Sequence, residues 1–307
     1  MPKLLVLALV GLAAQLVDGA LGMGYGVTSS TLLILAGLTP AAASASVHFS
    51  ELGTNVASGI SHWKLRNVDW RVVTRIAAPG AAGAFLGATV LSSVSTAAAA
   101  PVMSGILAAL GLYILVRFVV GFRLRLAARQ PTLRFLAPLG VFAGFIDATG
   151  GGGWGPVATP ALLADGRLEP RKVVGTVDTA EFAVSAAASI GFLIGLGAAG
   201  INWGFALALL VGGVIAAPLA AYLVRVAPAH LLGIAVGGII LLTNARTIFL
   251  TYDVSDPIRI IGYAAIVLGS AAGLYVANRR VRRGRAAVDT GAVEADATEP
   301  VEVGSRA

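Results

Sequence analysis

Few side chains that can carry charge fall inside the apolar stretches of this chain: Asp18, His48, Glu51, Asp147, Asp178 and Glu181. A charge at the centre of a bilayer costs at least about 2.5–3.5 kcal/mol on insertion scales, so such residues usually face the protein interior or a wet path. His48 and Glu51 are three positions apart, as are Asp178 and Glu181. On a helix each pair shares one face. Thr54, Asn55 and Ser58 continue the first face, and Ser185 and Ser189 the second. The chemistry open to such faces is anion binding and proton transfer. An imidazole changes charge near neutral pH, and buried carboxylates can hold protons. His48 and Asn55 are therefore read as substrate-binding groups, and Glu51, Asp178 and Glu181 as proton-coupling groups. The competing reading makes them hydrogen-bonded staples between packed helices. Asp18 and Asp147 suit a structural role, capping a glycine turn, with a pathway role as the alternative.

Two glycine phrases accompany these acids. Asp18–Gly26 reads D-G-A-L-G-M-G-Y-G and Asp147–Pro156 reads D-A-T-G-G-G-G-W-G-P. Glycine lets a chain leave helical geometry and lets other groups approach it closely, and Pro156 suits the first turn of a new helix. Each phrase predicts a helix that stops, turns and restarts, near Val27 and near Pro156. Irregular backbone within a membrane must be buried in protein or line a cavity. The restarting helices would turn free N–H groups and a partial positive charge toward an anion. Gly22, Gly24, Gly26, Gly151, Gly152 and Gly153 are the backbone candidates, with Tyr25 and Trp154 lining the cavity or packing beside it.

The phrases belong to a longer duplication. Asp18 matches Asp147, Ser46–Glu51 (S-V-H-F-S-E) matches Thr176–Glu181 (T-V-D-T-A-E), and Val68–Trp70 matches Ile201–Trp203. Three blocks in one order at nearly one offset mark an internal repeat. His48 stands opposite Asp178, so the halves cannot contribute identical chemistry. Trp63, Trp70 and Trp203 fall near segment ends, where interfacial anchors sit.

Composition places these features in a polytopic helical membrane protein. The 307 residues are 57% hydrophobic and 12% charged, about half the charge of a soluble domain. There is no cysteine, hence no disulfide, thiol chemistry or Cys-based metal site. The net charge of +7 does not imply nucleic acid, because Lys and Arg gather at segment ends, as cytoplasmic loops require. No phosphate-binding G-x4-G-K-[ST] loop is visible. The apolar start with Lys3 lacks a small-residue cleavage site and is read as retained.

Basic islands at 64–75, 117–134, 165–172 and 279–285 are expected in the cytoplasm, and 92–97, 198–202 and 251–257 outside. The N-terminus is then outside and the C-terminus inside. Each repeat becomes a glycine-tipped hairpin plus three spans, and odd parity makes the two repeats face opposite ways. The expected division is a first transmembrane repeat over 1–120, a basic cytoplasmic linker over 121–134, a second repeat over 135–250, an additional helix over 251–278 and a disordered tail over 279–307. Inverted repeats with a broken helix in each half point to a secondary transporter with its site at the repeat interface.

The D-x3-G-x-G-[YW]-G phrase in both halves, the block S-V-H-F-S-E-L-G-T-N-V-A-S-G and the following V-D-W resemble the sulfite exporter TauE/SafE family, also called the 4-toluene sulfonate uptake permease group. The resemblance covers about residues 5–278. It implies a plasma-membrane permease for sulfite, thiosulfate or an organosulfonate, with no catalytic residue, metal or cofactor. The partners are the anion and the lipid bilayer, with no nucleic acid and room for a homodimer. The expected mechanism is alternating access coupled to protons. Two rivals remain at this stage: an anion channel, and a membrane-embedded aspartyl-type hydrolase using Asp147 and a second intramembrane Asp.

Overall fold

The computed structural model describes residues 2–21, 23–121, 131–165, 167–223 and 229–289. Among them are eleven α-helices and no strand: α1 (Pro2–Leu21), α2 (Tyr25–Leu35), α3 (Pro40–Lys64), α4 (Trp70–Ser93), α5 (Thr96–Val120), α6 (Leu133–Gly150), α7 (Trp154–Asp165), α8 (Pro170–Leu196), α9 (Trp203–Leu223), α10 (Ala229–Thr251) and α11 (Asp256–Asp289). Six of them, α4, α5, α6, α8, α10 and α11, are long and apolar enough to cross a membrane. The chain is an all-helical polytopic membrane protein.

Both glycine phrases interrupt a helix. Gly24, at φ 122°, separates α1 from α2, and Gly151 and Gly152, at φ 68° and 144°, separate α6 from α7. The restarts fall at Tyr25 and Trp154, two residues before the expected positions. Pro156 becomes the third residue of its helix, still inside the first turn, where its missing N–H costs nothing. The return limbs are short. α2 has 11 residues and α7 has 12, which at 1.5 Å per residue spans roughly 16–18 Å, about half a hydrocarbon core.

Glycine contacts fix the helix directions. Leu4 lies by Gly204 and Leu12 by Gly212, so α1 and α9 run parallel. Gly83 against Val141 and Gly87 against Phe145 make α4 and α6 parallel. α3 runs with α9, through Phe49 on Trp203 and Gly53 on Leu210. α4 runs with α8, through Gly80 on Val184 and Gly195 on Ser92. α3 and α8 cross antiparallel, since Ser185 meets Glu51 while His62 meets Asp178. α5 and α10 are antiparallel too, Gly233 lying on Phe118 and Gly111 on Ile240. The first helix of each half thus packs on the fourth of the other half. Small residues permit that closeness, as is common between membrane helices.

Lys64, Arg71, Arg134, Lys172 and Arg117 all fall at one end of the bundle, where α4, α6 and α8 begin and α3 and α5 finish. α11 runs on to Asp289, past the expected end at 278, and carries its arginines as helix. Arg280 donates to the carbonyls of Val119 (3.0 Å) and Val120 (2.7 Å), the last residues of α5. Trp63, Trp70 and Trp203 are exposed near helix ends. Gly22, the linker arginines Arg123, Arg125 and Arg129, and the tail from 290 lie outside the described residues.

Candidate functional site

The hairpin tips meet where α2 and α7 begin. A Cβ on Gly26 would sit 2.6 Å from Gly152 Cα, so only glycine backbones permit the contact. The Ser30 hydroxyl donates to the Gly151 carbonyl across the same seam, and Ser44 donates to the Ala148 carbonyl at 2.7 Å. Each restart is held by the acid that opens its phrase. Asp147 Oδ1 accepts from the N–H of Gly153 (2.7 Å) and of Trp154 (3.0 Å). Asp18 Oδ1 accepts from the Tyr25 N–H at 3.2 Å. A carboxylate there meets both unpaired N–H groups and the positive end of the helix dipole.

Between the restarts lies a narrow cleft lined by Asp18, Gly24, Tyr25, Gly26, Val27, Gly152, Gly153, Gly155, Pro156, Val177, Asp178 and Glu181. About 10 Å³ of it is open to the centre of a water molecule, roughly what one water needs. The first-turn N–H groups of Gly26, Val27 and Gly155 have no acceptor within their own helices.

His48, Glu51 and Asp147 form a second cluster behind the seam, wholly buried. His48 Nδ1 is 2.9 Å from Glu51 Oε2 and 3.9 Å from Asp147 Oδ2. Ser185 Oγ donates to Glu51 Oε2 at 2.9 Å, and Phe192 stacks on the imidazole at 6.0 Å. Glu51 Oε1, Asp147 Oδ2 and His48 Nε2 are buried and have no hydrogen-bond partner among the described residues. The three residues bring one ligand atom each within 4.8 Å of the others, a donor set that suits a shared proton and is also open to a small cation. The duplication maps this trio onto Asp178, Glu181 and Asp18, the acids of the cleft. In both clusters an acid of one hairpin faces the third helix of the other half.

The two aromatics follow the same crossed pattern. Tyr25 lines the cleft, its hydroxyl 3.0 Å from Ser50 Oγ and its ring against Gly213 of α9. Trp154 is fully buried against Gly80 of α4, donating to the Val177 carbonyl at 2.9 Å, and is not among the cleft-lining residues. Asn55 and Gly151 also stand off the cleft. Asn55 Nδ2, at the position equivalent to Ser185, is buried and has no hydrogen-bond partner among the described residues.

Sequence reasoning missed Ser30, Ser44 and Ser50, because a serine in an apolar helix carries no periodic signal. It missed Asn244 of α10, which donates to Thr31 Oγ1 at 2.9 Å. It also passed over His62, which sits beside Lys64 and reads as part of a basic helix end.

The sequence pattern of the family described as Sulfite exporter TauE/SafE matches residues 7–247. The chain belongs to the TauE/SafE family. It is also 50% identical, over 268 residues, to the Bacillus subtilis (strain 168) protein described as "Probable membrane transporter protein YtnM", covering 87% of this chain and 89% of that one. No solved structure matches. This TauE/SafE member is therefore a membrane transporter and not an enzyme.

Proposed function

We propose that the protein is a secondary transporter that moves a small sulfur-containing anion, such as sulfite, thiosulfate or an organosulfonate, together with protons by alternating access. One observation carries the reading. The N-termini of two broken helices meet at a cleft whose other polar walls are Asp18, Asp178 and Glu181. Helix N-termini attract an anion, whereas three ionised carboxylates repel it. The anion is accepted when those acids hold protons, so anion and protons enter and leave together.

In this reading Gly24, Gly26, Gly152 and Gly153 bring backbone close to the anion, and first-turn N–H groups hold it. His48 supplies a donor or a positive charge from behind the seam. Glu51, Asp178 and Glu181 carry protons. The opposed directions of counterpart helices support two inverted repeats, 1–120 and 135–250, around one shared site. The basic end of the bundle is cytoplasmic, as positive-inside loops demand. That puts the N-terminus outside the plasma membrane and the C-terminus inside.

The test is flux in liposomes holding the purified protein, with a panel of sulfur oxyanions and sulfonates, with and without an imposed pH gradient. Accumulation of an anion against its own gradient, driven by the pH gradient, is the expected result. Flux that only equilibrates, with or without that gradient, would identify a channel.

A further inference from the structure

His62 has no assigned part in the site, yet it stands between the basic end of the bundle and the cleft. It lies two residues from the end of α3. Its Nε2 is 4.0 Å from Asp178 Oδ2, and its side chain is 23% exposed against 12% for Asp178. Asp178 in turn lines the cleft with Asp18 and Glu181. A distance of 4.0 Å leaves a small ring rotation, or one bridging water, between this pair and a hydrogen bond. The ring's Nδ1 is buried beside Gly175 and has no hydrogen-bond partner among the described residues. No hydrogen bond among the described residues fixes the proton on one ring nitrogen rather than the other.

The duplication supplies a comparison within the molecule. The 130-position offset that takes Glu51 to Glu181 takes His62 to Phe192. Phe192 is fully buried and stacks on His48, the counterpart of Asp178. At one end of the α3–α8 crossing the ring above the site cannot carry a proton. At the other end it can.

We propose that His62 is a proton relay between the solvent at the basic end of the bundle and the cleft carboxylates, acting through Asp178, while Phe192 closes the equivalent route at the opposite end. The step balances simply. The ring takes a proton from water at Nε2, the nitrogen that is not sealed from solvent, and passes that proton to an Asp178 oxygen, and the reverse sequence releases it. The charged groups that the chain brings to this end of the bundle, among the described residues, include Asp178 and Lys172 on α8, Lys64 on α3, Arg66 and Asp69 in the following loop, and Arg71 at the start of α4. Of these, Asp178 is within 4.0 Å of the ring. The inference rests on the proton-coupled reading given above.

The experiment uses the full chain in liposomes, with lumenal pH dye and labelled sulfite or thiosulfate read together. His62→Phe installs the ring found at the counterpart position, and His62→Gln keeps a polar group that cannot titrate. Both variants are expected to melt like the parent and bind the anion within about twofold of it, and to lose about a hundredfold in proton flux and gradient-driven uptake, the low end for a positioned acid–base group. The dependence of uptake on pH at the basic face is expected to flatten in both. Parent-like proton flux in either folded variant overturns the relay. A parent protein that moves anion without protons overturns the coupled reading, and the relay with it.

Discussion

Replacing Gly152 by alanine tests whether the hairpin tips meet as described. At φ 144° a side chain is strained whatever the space around it, at about 1–3 kcal/mol for such a residue. The added Cβ would also overlap Gly26 and the Val27 nitrogen, both backbone atoms of the other half. Overpacking of that kind costs a further 1–3 kcal/mol or so, giving about 2–6 kcal/mol for Gly152→Ala. Gly24→Ala is the control. Its φ is 122°, but the nearest atom to its Cβ would be Val17 Cγ1 at 3.5 Å, an ordinary contact. That change carries only the backbone strain, about 1–3 kcal/mol. The two variants are compared by unfolding midpoint in detergent and by anion flux in liposomes. Gly152→Ala is expected to be the less stable by about 1–3 kcal/mol, with flux lost in the fraction that folds. Equal losses in the two would refute the backbone contact between the tips.

Other outcomes follow from the same geometry. Asp147→Ala should destabilise the α7 restart by about 1–2 kcal/mol, as loss of an N-terminal cap does, while Asp147→Asn keeps an acceptor and should recover most of that in a melting experiment. His48→Ala and Glu51→Gln should leave the protein folded and inserted but cut transport by tenfold or more, since a hydrogen bond to a charged group contributes about 1.5–3 kcal/mol; normal flux in both would remove them from the mechanism. Anion affinity should rise as pH falls, because the cleft acids repel the anion until they are protonated; binding titrations across a pH series read this directly, and tighter binding at high pH would contradict it. Reporter tags near Lys64 and Gln130 should appear on one side of the membrane, and opposite sides would break the proposed topology.

Much of this arrangement could be read from the residues in order. Long apolar runs gave the helices, and the glycine phrases gave the two interruptions, because a helix cannot continue through φ values above +60°. The pairing of Asp18 with Asp147 and of Glu51 with Glu181 came from the offset alone. What the order of residues does not carry is which half supplies each neighbour. His48 and Asp147 sit 99 positions apart, and only the exchange of helices between halves brings them to 3.9 Å. The serine hydroxyls that bind carbonyls across the seam were equally silent, as a hydroxyl in a membrane helix can satisfy its own backbone. The restarts fall two residues before Val27 and Pro156, because a first turn admits proline at more than one position. The helix of α11 beyond 278 is not legible in the sequence, because its arginines favour water and helix alike.

Arg280 binds the final carbonyls of α5, and α11 also lies along α10, as Gly238 on Ser270 shows. Those three helices are therefore clasped by hydrogen bonds and close backbone contact at once. In the proposed alternating-access cycle, a clasp that persists throughout would make α5, α10 and α11 the stator. The displacement then belongs to the hairpins and to α3 and α8, and a crosslink from α11 to α5 would leave turnover untouched.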